Sequence, residues 1–332
     1  MSLQFRKEAE FWDSMENKNV RCRLCPHSCL IVPDKTGLCG IRCNYDGKLF
    51  AIGYGEIVSY AVDPIEKKPL YHFYPGSQIL SVGVNGCNFR CQFCQNWQVS
   101  QCKQKTQYIS PEGLIDLALR QDSIGIAFTY TEPLIWYEYI MDCAPLAHEH
   151  NLKIVLVSNG FISTEAAEKL FPNVDAINID LKSMDPEFYR KICGGTLEPV
   201  LDCIRIANKY THVEITNLLI PTQNDSDTRI RELVGFIESV SPEIPVHFSA
   251  YYPQYKMSIP ATDGSALIKA YTIAKESLKY VYLGNIMTET GKNTCCPNCS
   301  ATLIIRKGYR ISACGLNGKA CAKCNEPINI IL

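Results

Sequence analysis

The sequence predicts an α/β fold, a series of parallel β/α units with a cysteine-rich segment before it and a cysteine module after it. Three observations carry this. Seven apolar runs of strand length recur between residues 79 and 283. Amphipathic stretches of helical length separate most of them, the pattern of buried parallel strands with helical crossovers. Fourteen of the eighteen cysteines fall in three bunches, at 22–43, 87–94 and 295–324, before, inside and after that series.

Composition sets the frame. The chain has 332 residues, 46% hydrophobic and 20% charged, enough for a large core with appendages. A formal net charge of -1 shows no strongly basic footprint, so nucleic acid is not an expected partner. No apolar stretch approaches the ~20 residues of a spanning helix. The first nineteen residues are polar and lack an apolar signal core. Clustered cysteines in a long chain of this kind point to a cytoplasmic metalloprotein rather than an oxidised framework. The scattered Cys102, Cys143, Cys193 and Cys203 read as small buried side chains.

In chain order, the first bunch is Cys22-Arg-Leu-Cys25-Pro-His-Ser-Cys29, followed by Cys39 and Cys43. Cys22, Cys25, Cys39 and Cys43 form the natural four-thiolate set, with Cys29 left over. Zinc and a second iron–sulfur cluster both favour thiolates, and spacing does not separate them. A strand is expected over 48–52. The proline-rich stretch 63–75 suits a loop lying over a site. Gly53-x-Gly55 has no helix after it, so a phosphate-loop reading fails.

The expected strands are 79–84, 124–128, 154–157, 176–179, 213–219, 246–249 and 280–283. The expected helices are 111–120, 133–150, 164–171, 186–192, 197–209 and 227–239. Ser110 before Pro111, and Ser163, read as helix N-caps. About six units are too few for a closed eight-fold barrel, and the pattern alone fits a partial barrel or an open doubly wound sheet.

Either architecture gathers ligands at the carboxyl ends of the strands. Cys87-Asn-Phe-Arg-Cys91-Gln-Phe93-Cys94 follows the first strand of the series directly. A cubane cluster normally takes four cysteines, so a loop offering three leaves one iron open, as a catalytic metal site must. Other strand ends run into Thr131-Glu132, Ser158-Asn159 and Asp180-Leu-Lys182. At the far end, Cys296, Cys299, Cys321 and Cys324 form two Cys-x2-Cys knuckles, a zinc ribbon with no open position, with Cys295 and Cys314 as bystanders. The expected division is 1–78, a cysteine-rich extension; 79–290, the β/α series; and 291–332, the ribbon-like module.

Cys-x3-Cys-x2-Cys with an aromatic before the last cysteine, after the first strand of a β/α series, resembles the radical S-adenosylmethionine superfamily. More narrowly, Gly86 to Trp97 is similar to the enzymes like pyruvate formate-lyase activating enzyme. The Cys-x-Leu-Cys-Pro segment, the 63–76 stretch and the C-terminal ribbon look like the AmmeMemoRadiSam system enzymes. The resemblance implies a partial (β/α)6 barrel. It implies a [4Fe-4S] cluster on Cys87, Cys91 and Cys94, with S-adenosylmethionine on the open iron. Reductive cleavage of that cofactor would yield a 5′-deoxyadenosyl radical that abstracts hydrogen from a substrate.

Carried over by motif, Glu132 meets the methionine ammonium, and Tyr130 and Thr131 stand where two glycines are usual. Asn159 meets the ribose or carboxylate, Asp180 and Lys182 line the cofactor and the radical path, and Phe93 lies near the adenine. Implied partners are an electron donor such as flavodoxin or ferredoxin and Memo-like and AMMECR-like proteins. A glycyl-radical activase is the alternative. A non-catalytic zinc or iron–sulfur module is the rival from another class.

Overall fold

The computed structural model describes residues 7–332. Its centre is one eight-stranded sheet: β1 (Ser59–Pro64), β2 (Gln78–Gly83), β3 (Gly125–Phe128), β4 (Lys153–Ser158), β5 (Ala176–Asp180), β6 (His212–Leu219), β7 (Val246–Ala250) and β8 (Val281–Gly284). These strands neighbour one another in chain order. The seven from β2 to β8 are mutually parallel, and β1 pairs antiparallel with β2. Since β1 and β8 lie at opposite edges, the curve stays open.

Six helices make the crossovers: α1 (Pro111–Arg120), α2 (Tyr137–Glu149), α3 (Thr164–Leu170), α4 (Glu198–Tyr210), α5 (Asp227–Val240) and α6 (Gly264–Ala274). Six β/α units with a closing strand form the expected partial barrel. Every residue of β3 is buried, because a parallel strand is covered on both faces. The caps form as read: Ser110 accepts from the Gly113 N–H and Ser163 from the Ala166 N–H.

Three differences have physical reasons. The expected helix 133–150 opens as a tight turn over Pro133–Trp136, because Glu132 folds back to accept from the Leu134 N–H. The helix α6 went unread, since Gly264 at its start weakens the signal and only Asp263, accepting from the Ser265 N–H, marks its cap. The strand β1 also went unread: it is an edge strand whose first four residues are exposed, so it carries no buried run. The sheet therefore begins inside the segment expected to be an extension.

The flanking modules dock differently. Val20, Leu24, Ile41 and Leu49 belong to the same buried cluster as Val82, Leu134 and Trp136, so the N-terminal hairpins share the barrel core. The C-terminal module has a small core of its own around Leu303, Ile304 and Ile328, joined to Tyr280 and Tyr282 beside β8. Among the described residues, no helix is long and apolar enough to cross a membrane.

Candidate active site

One cavity of about 520 Å3 opens at the carboxyl-terminal rim of the sheet. Its wall contains Cys87, Cys91, Cys94, Phe93, Thr131, Glu132, Asn159, Asp180 and Lys182, which are all the residues expected there from the motifs. Topology explains the convergence. Parallel strands bring their carboxyl ends to one rim, so loops far apart in sequence meet there.

The cysteine loop is held from two sides. The Arg90 N–H donates to the Cys193 carbonyl at 2.7 Å and the Gln92 N–H to the Ile192 carbonyl at 3.0 Å. Gly86, at φ 95°, begins the loop, and a Cβ there would lie 2.2 Å from the Cys39 carbonyl oxygen. Only glycine allows this approach of two backbones. Within the loop the Phe89 N–H points at the Cys87 sulfur at 3.3 Å, and Cys94 pairs with the Ser100 hydroxyl at 3.2 Å.

Glu132 is 1% exposed, and three donors orient its carboxylate. Oε1 accepts from the Leu134 N–H at 2.9 Å and the Ser158 hydroxyl at 2.7 Å; Oε2 accepts from the Asn159 N–H at 2.8 Å. Burial raises its pKa to about 7 against those stabilising donors. Asn159 turns its amide toward the loop, donating to Asn88 Oδ1 at 2.9 Å and reaching the Cys87 sulfur at 3.7 Å. Its carbonyl oxygen accepts from the Phe161 N–H, so this side chain braces the cysteine loop as well as lining the cavity.

Lys182 donates to Asp180 at 2.9 Å and stands 5.7 Å from the Phe93 ring centre. Burial alone would discharge this lysine, but the Asp180 carboxylate beside it holds its pKa well above the usual value. The Thr131 hydroxyl donates to the Val84 carbonyl, tying the end of β3 to the strand that leads into the cysteine loop. Tyr130 sits at φ 68°, a left-handed backbone that suits the glycine usual at this position. Its hydroxyl donates to Asp63 at 2.9 Å, and the Lys68 ammonium lies 4.9 Å from its ring centre.

Motif reading missed several wall and support residues. Asp63, Lys67 and Lys68 line the cavity, in the stretch expected to lie over a site. Of the four scattered cysteines, Cys143, Cys193 and Cys203 are buried as expected and Cys102 is exposed. The Thr216 hydroxyl also borders the cavity and is a buried polar group with no partner among the described residues.

Three thiols, a fixed buried carboxylate and an orphaned hydroxyl on one wall fit a thiolate-bound cluster with a polar cofactor beside it.

The other two cysteine bunches differ. Cys296, Cys299, Cys321 and Cys324 place all four sulfurs within 4.8 Å of one another, close enough to hold a metal ion. Cys295 and Cys314 are exposed. In the N-terminal bunch Cys22, Cys25 and Cys39 line one small void, but the fourth cysteine there is Cys29. Cys43, the expected fourth, follows Arg42 on the strand Arg42–Tyr45, where Arg42 and Asn44 are the buried residues. Alternation along a strand sends Cys43 to the other face from Arg42, which lines the void.

An open β/α barrel that gathers three thiols and a buried carboxylate at its rim has the architecture of a thiolate-ligated metalloenzyme. The Radical SAM superfamily profile matches residues 81–234, so this stretch is a radical SAM domain. An uncharacterized protein of Methanocaldococcus jannaschii is 41% identical over 98% of this chain and 100% of its own length. The pyruvate formate-lyase-activating enzyme of Listeria monocytogenes is 24% identical over 56% of this chain and 81% of its own. A radical SAM methyltransferase structure from Sphaerobacter thermophilus shares the fold, with TM-score 0.50 and 17% identity over 64% of this chain and 67% of that one. The chain is thus a radical SAM enzyme similar to the activating enzymes, and the family implies a [4Fe-4S] cluster, S-adenosylmethionine and a reductant.

Proposed function

We propose that Cys87, Cys91 and Cys94 hold the [4Fe-4S] cluster and that the rim cavity binds S-adenosylmethionine and a substrate from which hydrogen is abstracted. The observation that carries this is the presence of all three thiols and Glu132 on one cavity wall. When bound, the cluster and cofactor supply one-electron cleavage of a sulfonium C–S bond to a 5′-deoxyadenosyl radical.

The chain's own residues bind and aim. Glu132, locked by three donors, accepts a charge-assisted hydrogen bond from the methionine ammonium without reorganising. Asp180 keeps Lys182 cationic at the wall next to Phe93. Thr216 supplies the hydroxyl that has no partner among the described residues. Asp63, Lys67 and Lys68 close the near side and limit water.

A small molecule or peptide is the substrate class of this reading. The resemblance to AmmeMemoRadiSam enzymes in the two cysteine modules supports Memo-like and AMMECR-like partners, and flavodoxin or ferredoxin is the class of donor proposed. Similarity to a pyruvate formate-lyase-activating enzyme favours a second reading, a protein glycine as the hydrogen donor. The C-terminal thiols are proposed to bind zinc, because Zn–S bonds of about 2.3 Å place tetrahedral sulfurs about 3.8 Å apart. Cys296–Cys324 at 3.5 Å and Cys299–Cys321 at 3.7 Å have that spacing. The reduced thiols suit the cytoplasm.

Anoxic reconstitution tests the function. The wild-type chain with S-adenosylmethionine and dithionite releases 5′-deoxyadenosine, and Cys87→Ala abolishes it. Unchanged release by that variant refutes the assignment. A frozen-solution glycyl radical signal on a candidate protein distinguishes the second reading from the first.

A further inference from the structure

The N-terminal cysteines are brought together by the fold in a way their spacing does not show. Cys22, Cys25, Cys29 and Cys39 line one enclosed void of about 10 Å3. The Cys25 thiol lies within electrostatic reach of the other three. The only four-thiol group among the described residues with all its sulfurs within 4.8 Å is the C-terminal one. Four cysteines more widely set around a void suit a cubane, whose core spreads its ligands farther than a single ion does.

A second, independent observation comes from Arg42. It is 1% exposed, lines the same void, and its Nε is a buried donor with no acceptor among the described residues. The other guanidinium nitrogens are engaged, Nη1 with Glu138 and Nη2 with the Glu10 carbonyl. A buried N–H is rarely left orphaned. The sulfur of an anionic cluster would accept from it, and the guanidinium would offset part of the cluster's charge.

We propose that Cys22, Cys25, Cys29 and Cys39 bind a second iron–sulfur cluster, distinct from that of the rim loop, with Arg42 as its hydrogen-bond donor. The site is fully ligated by cysteine, so no open iron is available for chemistry. It adjoins the catalytic loop: His27, between Cys25 and Cys29, hydrogen-bonds the Asn88 carbonyl at 2.7 Å, and Asn88 follows Cys87 directly. Asn88 also lines the N-terminal void.

Iron and acid-labile sulfide in the full-length chain test the site without reference to activity. After anoxic reconstitution, Cys87→Ala/Cys91→Ala/Cys94→Ala retains about four irons and four sulfides per chain, and the wild type holds about eight of each. The retained iron gives an electron paramagnetic resonance signal on reduction. In that background Cys43→Ala keeps the iron and Cys29→Ala loses it. The triple variant's iron content stands whether or not the Cys29 variant folds. A triple variant without iron, or with zinc in place of iron beyond the C-terminal ion, overturns the proposal. So does iron that depends on Cys43 and not on Cys29.

Discussion

The backbone N–H of Asn159 donates to Glu132 Oε2 across 2.8 Å, joining the ends of two neighbouring parallel strands. Asn159 carries the same linkage on to Cys87 through its side chain, so carboxylate and cysteine loop are positioned as one unit.

Glu132 gives a pH-dependent affinity. Burial places its pKa at about 7, and only the ionised form gives an ammonium a charge-assisted hydrogen bond. Binding of S-adenosylmethionine by the cluster-loaded protein strengthens from pH 6 to pH 8, measured by equilibrium dialysis. Glu132→Gln weakens binding by about 10- to 100-fold, the loss of a charge-assisted hydrogen bond, and flattens the profile. The stability sign is opposite: a carboxyl with a raised folded pKa contributes stability below its unfolded pKa and loses it as pH rises through about 7.

Asp63 behaves in the reverse manner. Its partial burial opposes ionisation, but hydrogen bonds from Lys68, Lys67 and Tyr130 outweigh that and hold its pKa well below the usual carboxylate range. Its contribution is present above the unfolded carboxylate pKa and is lost as pH falls below it. Asp63→Asn leaves Lys68, 3% exposed, without its counter-charge and removes the acid-side slope in urea unfolding. The slope's persistence would show that Asp63 is not its source.

Arg42 and Glu138 form a buried pair at 2.8 Å, each side chain 1% exposed. Breaking it by Arg42→Met strands a buried carboxylate and costs about 3–5 kcal/mol. Arg42→Met/Glu138→Leu recovers only part of the loss, because the Glu10 N–H and carbonyl, bonded to Glu138 and Arg42, lose their partners. A double-mutant cycle by urea denaturation measures the coupling.

The C-terminal thiols are proposed to hold zinc, and that has a direct test. Cys324→Ser lowers zinc from about one ion per chain to none and loosens the small core around Leu303 and Ile328, seen as protease cleavage within 291–332. Iron content is unchanged.

The β/α order, the rim loop and both C-terminal knuckles were legible in the sequence because each is local. Strand burial writes itself as an apolar run, a cap as a serine before a helix, a ligand knuckle as two cysteines three apart. The edge strand β1 and the helix α6 carry weak local signals, and they were missed. The first bunch of cysteines shows the limit of spacing. Cys-x2-Cys and Cys-x3-Cys pairs pointed to Cys43, whereas pairing of Arg42–Tyr45 with its neighbouring strand turns that side chain to the other face and brings Cys29 to the void.

By itself the sequence determined the class of chemistry, since three thiols in eight residues are a property of one loop. Only the tertiary structure decided which residues share that chemistry. Glu132, Asn159, Asp180 and Lys182 come from separate strand ends, and they meet because a parallel barrel delivers those ends to a single rim.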